Sequence, residues 1–274
     1  MDIKKIPNLE ELDKIFAESE VVKLSEAVLK MKPAGDYFKT EFKIFDDAMM
    51  GGFQDGDLVV ISGKTGAGKT TFAQNLTYNF AQQGLPCLWF SFECDLKHLW
   101  LKFQGMNVDN DFLCYVPLKT VSGKIDWMLY KIKEAILKYS VKIVFIDHLG
   151  FLLPAAKSDY DRNQESNYSL YLANICRQLK QLAIDNEIII VLMAHVRKTD
   201  RELDTDDLAF SGGIAQESDF VFMIEREKEK NYDFKGNDVY RNEAKIKMVK
   251  NRRTGQNKII KCQLNNNRFL EIYD

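Results

Sequence analysis

No apolar run in this sequence is long enough to cross a bilayer. The longest, Ile188 to Ala194, falls far short of the ~20 residues a membrane helix needs. The opening Met1-Asp2-Ile3-Lys4-Lys5 is followed by no apolar signal region. Together these absences predict a cytoplasmic protein with no membrane partner. The five cysteines (Cys87, Cys94, Cys114, Cys176, Cys262) are scattered, odd in number and without a C-x-x-C pair, which argues against a disulfide framework or a zinc site and predicts reduced thiols. Positive charge is not in excess either. With 38 basic and 40 acidic side chains the net charge is −2, so the global basic field of a nonspecific nucleic-acid binder is missing, and any such binding falls to a local patch. Repeats and low-complexity stretches are absent.

What the sequence does have is alternation. Its 274 residues suffice for one large α/β domain or two small ones. Strand-like runs at Leu58 to Ile61, Cys87 to Phe92, Ile143 to Ile146, Ile188 to Met193 and Phe220 to Ile224 interleave with helical patterns at Thr70 to Gln83, Leu96 to Phe103, Ile125 to Tyr139 and Asn167 to Asp185. This predicts an α/β fold with a mostly parallel sheet flanked on both faces by helices. Lys245 to Val249 and Lys258 to Gln263, around Thr254-Gly255, read as a C-terminal antiparallel hairpin on the sheet edge, with Arg268 to Ile272 as a last strand. Ahead of the core, residues 1–35 carry one helical pattern, Leu9 to Lys30, stopped by Pro33-Ala34-Gly35. We read 1–35 as a linker or oligomerisation helix and 36–274 as the main domain. Two polar segments, Leu153 to Glu165 and Lys198 to Gly213, look irregular; at the C-terminal side of parallel strands such loops line sites.

Gly63-Lys64-Thr65-Gly66-Ala67-Gly68-Lys69-Thr70 joins the first strand to the first helix and fills every fixed position of the G-x-x-x-x-G-K-[ST] phosphate loop. Three glycines let the backbone curl so that successive N–H groups converge on an anion at the start of the helix that continues through Thr71. Lys69 is then expected to reach the β- and γ-phosphates and the Thr70 hydroxyl to complete the shell of a magnesium ion, so ATP and Mg2+ are the expected cofactors. A glycine-rich turn that binds nothing is the alternative, and the filled pattern in its strand–loop–helix setting disfavours it.

Val144-Phe145-Ile146-Asp147 is an apolar strand ending in an aspartate, the Walker B pattern, which assigns Asp147 to the metal. His148 follows, so no second carboxylate stands there and the base must come from elsewhere. Glu93, closing the run Leu88 to Phe92, is the candidate to orient the attacking water; a solvated strand-end glutamate is the alternative. His195 ends the run Ile188 to Ala194, where it can hydrogen-bond the γ-phosphate and register its loss, although a lone histidine is more often structural. His98 and His148 are read as structural. Lys245, Lys247, Lys250, Arg252, Arg253, Lys258 and Lys261 crowd one hairpin. Such a run is usually a solvated face, but an arginine at a hairpin tip can cross to a neighbouring subunit's phosphate.

These pieces coincide in one family. From about Phe38 onward the chain resembles the RecA-like ATPase domain of DnaB-type replicative helicases, and within it the Twinkle and phage helicase-primase branch. Met49-Met50-Gly51-Gly52-Phe53-Gln54-Asp55-Gly56-Asp57-Leu58 matches the family's entry segment, Ser91-Phe92-Glu93 the motif of its catalytic glutamate and Ile146-Asp147-His148 its Walker B, and Ala194-His195 falls where that branch has a histidine γ-phosphate sensor. Lys250-Asn251-Arg252-Arg253-Thr254-Gly255 matches its K-x-R-x-x-G segment. The resemblance implies that Arg252, with Lys250, acts in trans on the adjacent subunit's nucleotide, and that Arg226 lies near the adenine. It also implies that Arg197 to Gln216 lines the central channel of a hexameric ring and touches single-stranded DNA through Arg197, Lys198, Arg201, Gly212 and Gly213. Leu208-Ala209-Phe210-Ser211-Gly212 departs from the family in lacking an arginine two residues before the serine, and Glu202 to Asp207 is acidic, which disfavours phosphate contact. The sequence carries no primase or helical collar, which leaves Leu9 to Lys30 as the subunit-linking helix.

Two main readings follow. The first is a magnesium- and ATP-dependent replicative-helicase motor, a homo-oligomer on single-stranded DNA, with a separate primase or loader as a further partner. The second is a KaiC-like or recombination-type ATPase that gates assembly without unwinding DNA. A small-molecule kinase is disfavoured because nothing resembles an acceptor-binding lid.

Overall fold

The computed structural model describes residues 22–26, 37–121, 124–152, 165–195, 211–232 and 238–272. The chain divides into two compact units, Met1–Asp36 and Tyr37–Asp274. Of the first, Val22 to Glu26 are described, with a turn of helix from Leu24; the rest of the Leu9 to Lys30 helix lies outside the described residues.

The second unit is built on a nine-stranded sheet. Its strands are β1 (Leu58–Gly63), β2 (Cys87–Ser91), β3 (Cys114–Tyr115), β4 (Ile143–Asp147), β5 (Ile189–His195), β6 (Phe220–Glu225), β9 (Glu243–Asn251), β10 (Lys258–Asn265) and β11 (Arg268–Glu271). They lie in the order β11-β10-β9-β6-β1-β5-β4-β2-β3. The six from β6 to β3 run parallel, while β9, β10 and β11 are added antiparallel. A separate two-stranded ribbon, β7 (Lys228–Tyr232) and β8 (Asp238–Tyr240), follows β6.

The central strands are apolar throughout because both faces are covered. Successive side chains alternate between two cores. Val59 and Ile61 of β1 join Phe72, Leu76 and Phe80 of α2 (Lys69–Gln82), Phe45 of α1 (Lys43–Ala48) and Leu99 and Phe103 of α3 (Leu96–Gln104). Leu58 and Val60 instead join Met128 and Ile132 of α4 (Ile125–Tyr139), Leu172, Ile175 and Leu179 of α5 (Glu165–Asp185) and Ile214 of α6 (Ser211–Glu217). Aromatic rings tie the first core together: Phe45 and Phe222 meet edge to face with centroids 5.1 Å apart. All five cysteines are free. Among the described residues no helix is long and apolar enough to cross a membrane.

The tail hairpin lies on the edge of the main sheet as the sequence predicts, with β9 longer than the run Lys245 to Val249 and paired along all of β6. At one place the structure differs from the sequence expectation. The end of the predicted loop Lys198 to Gly213 is already helical: α6 starts at Ser211, with Ile214 buried at 1% exposure in the second core. Ile214 anchors that end as a helix, and Ser211-Gly212-Gly213 ahead of it hide the helix from periodicity.

Candidate active site

The parallel strands aim their C-terminal ends at one crevice, and registration brings the expected residues to the same edge. Gly63 is level with His195, and Ser91 with Asp147. The amide of Phe92 donates to the Asp147 carbonyl over 2.7 Å, which fixes the start of the Glu93 turn against β4.

The phosphate loop leaves β1 at Gly63, where φ is +154° and a Cβ would lie 2.6 Å from the Ile224 carbonyl oxygen. Only glycine lets β6 come this close. The loop ends at Gly68, the left-handed N-cap of α2, which no side chain caps. The first-turn amides are therefore available to an anion, beside the positive end of the helix. Lys64, Thr65 and Gly66 are exposed, Ala67 is buried, and Thr71 is half-buried in the first turn. Lys69 is buried, its Nζ donating to the carbonyls of Gly63 (3.1 Å) and Lys64 (3.3 Å). Burial lowers its pKa, against the raising effect of Glu93 and Asp147. A polyphosphate would offer the ammonium stronger acceptors at the same place.

Thr70 Oγ1 donates to Asp147 Oδ2 over 2.8 Å. Asp147 is 1% exposed, and its other oxygen, Oδ1, has no hydrogen-bond partner. Burial pushes its carboxyl up to about 6; the Thr70 hydrogen bond works against this and the charge of Glu93 adds to it. A buried carboxylate with an orphaned oxygen beside a threonine hydroxyl is a hard-oxygen donor set that fits Mg2+.

Glu93, exposed, and His195, half-buried, face each other across this point. His148, read from the sequence as structural, joins them: one carboxylate oxygen of Glu93 and one ring nitrogen of each histidine lie within 4.8 Å of one another. The two imidazoles meet edge to face, centroids 4.3 Å apart. Both histidines are held neutral. Burial, then His195, lowers His148 to about 4, and burial, then Lys69, lowers His195. The signal for His148 was its place directly after Asp147, visible in the sequence but without a chemical partner there.

Arg226, at the end of β6, donates through Nε to the Arg241 carbonyl (2.8 Å) and lines a cavity of about 560 Å3 beside Lys64 and Ala67. That volume suits a nucleoside.

Lys250 and Arg252 lie at the opposite end of the sheet. Val221 pairs with Lys250 and Phe220 with Val59, so the two basic residues flank the start of β1, a strand's length of roughly 15 Å from Gly63. A role at this chain's own phosphate loop is thereby excluded. Both hold the C-terminus of α6: Lys250 Nζ donates to the carbonyls of Ala215 and Ser218, and Arg252 Nη2 to that of Gln216 (2.6 Å). Arg253, adjacent in sequence, is instead a structural bolt, donating to the carbonyls of Met49 and Gly52 and to Asp57 Oδ2. Of the expected DNA contacts, Gly212 and Gly213 fall in the first turn of α6; Arg197, Lys198 and Arg201 lie outside the described residues.

Comparison with known proteins gives the family of the chain. Residues 116–270, more than half of the chain, match the family described as DnaB-like helicase C terminal domain. The chain belongs to that family. Residues 38–191 of this DnaB-like domain also match the KaiC ATPase family. It is 25% identical over 214 residues to a probable replicative DNA helicase of Trieres chinensis, covering 66% of this chain and 46% of the relative. It is 26% identical over 214 residues to the replicative DNA helicase DnaB of Haemophilus influenzae, covering 66% and 45%. Protein RecA of Bacillus licheniformis is 26% identical over 253 residues, 89% of this chain and 68% of that protein. The DnaB-like domain thus spans about half the length of the replicative helicases it matches. Among solved structures, a DnaB-like replicative helicase studied with primase superposes with a TM-score of 0.70 at 18% identity, covering 96% of this chain and 70% of the other. A second solved structure, an ATPase domain, gives 0.67 at 17%, covering 96% and 99%. At these identities the structural likeness shows the fold, a RecA-like domain.

Proposed function

We propose that this domain hydrolyses Mg-ATP at the seam between two copies of itself and uses the change to move single-stranded DNA, as the motor of a replicative helicase. The observation that carries the reading is the Thr70–Asp147 contact, with Asp147 Oδ1 left open at the mouth of a complete phosphate loop. Lys69 exchanges its two loop carbonyls for phosphate oxygens, and the amides of the first turn of α2 hold the chain of phosphates. Thr70 and Asp147 hold the magnesium ion, which supplies neutralisation of the phosphate charge. Glu93 accepts the proton of the attacking water. His195 hydrogen-bonds the γ-phosphate and, on its loss, shifts the segment that follows β5, from Arg197 to Gly213. Arg226 sits by the base. Arg252, with Lys250, turns from α6 toward the nucleotide of the adjacent copy, so that hydrolysis in one copy and the end of the DNA segment in the next share the same two side chains. Residues 1–35 link the copies, six to a ring, and a primase or loader is a further partner.

The second reading, an ATPase that gates assembly without unwinding, draws support from the alignment with RecA over 89% of the chain. One experiment separates the two: ATPase rate with and without single-stranded DNA at low and moderate salt. The motor predicts stimulation that fades as salt rises, because phosphate contacts release counterions. Hydrolysis with no DNA stimulation, with mass rising on ATP addition, supports the second reading and contradicts the first.

A further inference from the structure

Beyond the residues that hold phosphate and metal, the His148 ring is fixed in an unusual degree of detail. Its Nδ1 accepts the Gly150 N–H over 2.9 Å. One side of the ring lies against Phe151, centroids 4.9 Å apart, and another against His195. The contact with residue 150 is close enough that a Cβ there would come within 2.6 Å of the His148 ring carbon Cε1, so glycine is what admits the ring. An Nδ1 that accepts a hydrogen bond is unprotonated, and the neutral ring therefore carries its hydrogen on Nε2.

That tautomer decides what the Glu93–His148–His195 cluster can do. Two imidazoles and a carboxylate within 4.8 Å resemble a transition-metal set. However, His148 Nε2 has a hydrogen and no free lone pair unless the bond to Gly150 is given up. The ring is a donor. The nearest carboxylate in the cluster is Glu93, exposed, within 4.8 Å of the ring and not in hydrogen-bond contact with it.

We propose that His148 is a positioning residue for hydrolysis: with its ring anchored through Nδ1 on the Gly150 amide, the exposed Glu93 swings in from within 4.8 Å, accepts Nε2–H at one oxygen and turns the other toward the attacking water. The proposal rests on the ATPase reading above. In the reaction, one O–H bond of the water breaks as the oxygen attacks phosphorus, the proton passes to the free Glu93 oxygen, and ADP leaves with the electrons of the broken P–O bond. His148 gives up no proton. Its loss is therefore felt in turnover and not in nucleotide binding.

The test compares wild type, His148→Phe and His148→Gln as full chains. Steady-state ATP turnover is measured with Mg2+, and affinity with a fluorescent non-hydrolysable ATP analogue. Phenylalanine keeps the ring packing and removes the donor; glutamine carries an N–H to about the Nε2 position. The expected result is a kcat at least tenfold lower for His148→Phe, with KM and analogue affinity within twofold of wild type, and substantial recovery of kcat in His148→Gln. Three outcomes overturn the proposal: a kcat for His148→Phe within twofold of wild type, a glutamine variant as slow as the phenylalanine one, or a loss confined to KM and affinity. A wild-type chain that does not turn over ATP overturns the functional reading and this proposal with it. A wild-type chain that does, beside an equally fast His148→Phe, overturns this proposal alone.

Discussion

Thr70 Oγ1 and Asp147 Oδ2 lie 2.8 Å apart, a contact that joins the phosphate loop to the end of β4 across 77 positions of sequence. It holds Thr70 and Asp147 together before any nucleotide arrives and leaves Asp147 Oδ1 open, so part of the ordering cost is removed from the proposed metal-binding step. The same contact keeps a carboxyl buried, which has consequences for stability and pH.

Asp147→Asn is expected to abolish hydrolysis while stabilising the nucleotide-free protein. The Asp147 carboxyl is raised from 3.8 to about 6 on folding, so the folded state holds its proton more tightly than the unfolded one. Its contribution to stability is then most favourable below pH 4 and is lost as pH rises from 4 to 6, by about 3 kcal/mol at most. Asparagine keeps the acceptor for Thr70 and carries no charge. Urea titrations should show the variant more stable by roughly 1–3 kcal/mol above pH 6, with the gap closing below pH 4. Asp46 and Asp57, also raised to about 6 by burial, give both proteins the same background slope. A gap that does not change with pH would contradict the assignment.

In the ATPase assay the same carboxyl should set an acid limb. Activity is expected to fall as pH drops through about 6, and raising Mg2+ should move that midpoint lower, because the metal competes with the proton. A limb that ignores Mg2+ would point to another group.

Arg252 and Arg253 should separate function from fold. Arg252 is half exposed, and its partner Asp219 still accepts from the Leu58 amide (2.8 Å) and Lys180 Nζ (2.5 Å). Arg252→Ala is expected to cost under about 1 kcal/mol of stability and most of the ATPase activity. Arg253 has 18% of its side chain exposed; it satisfies two carbonyls and Asp57, and its guanidinium sits 5.2 Å from the centre of the Phe220 ring. Arg253→Ala leaves Asp57 buried without its cation, and thermal unfolding should report a loss of roughly 2–4 kcal/mol.

His195→Asn should retain nucleotide affinity and lose the response to DNA. With β5 intact the site still assembles, but the link from the γ-phosphate to the segment beyond β5 is weakened. The measurement is the ratio of ATPase rates with and without single-stranded DNA, expected to fall toward one while analogue binding stays within about threefold of wild type. An undiminished ratio would place the sensor elsewhere.

The sheet was legible because its central strands are buried on both faces, so that Leu58 to Ile61 or Ile143 to Ile146 read as unbroken apolar runs bounded by turns. Lys69 and Thr70 were legible because the phosphate loop is a local pattern whose geometry follows from its own glycines, and Asp147 because it closes an unbroken apolar strand. The rest depended on contacts between distant positions. His148 gains meaning only through Gly150, Glu93 and His195, which share no periodicity with it. The run Lys250 to Arg253 shows four neighbouring side chains with separate jobs: clamping α6, tying Ala48 to Thr254 through Asn251, reaching Gln216 and Asp219, and bolting Asp57. Charge alone cannot distinguish a clamp from a bolt. The helix that starts at Ser211 is only seven residues long and buries Ile214, too short a stretch for its periodicity to stand out in the sequence.

The most direct test of the shared nucleotide site is to mix Lys69→Ala chains, which lack the phosphate-loop ammonium, with Arg252→Ala chains, which lack the crossing guanidinium, and to measure ATP hydrolysis. Each variant alone is expected to be nearly inactive. In mixed assemblies an intact phosphate loop from one chain can face an intact Arg252 from the other, and the account predicts that part of the wild-type rate returns and peaks near equal proportions. A mixture no more active than its components, or an Arg252→Ala chain that hydrolyses ATP as fast as wild type by itself, would contradict it.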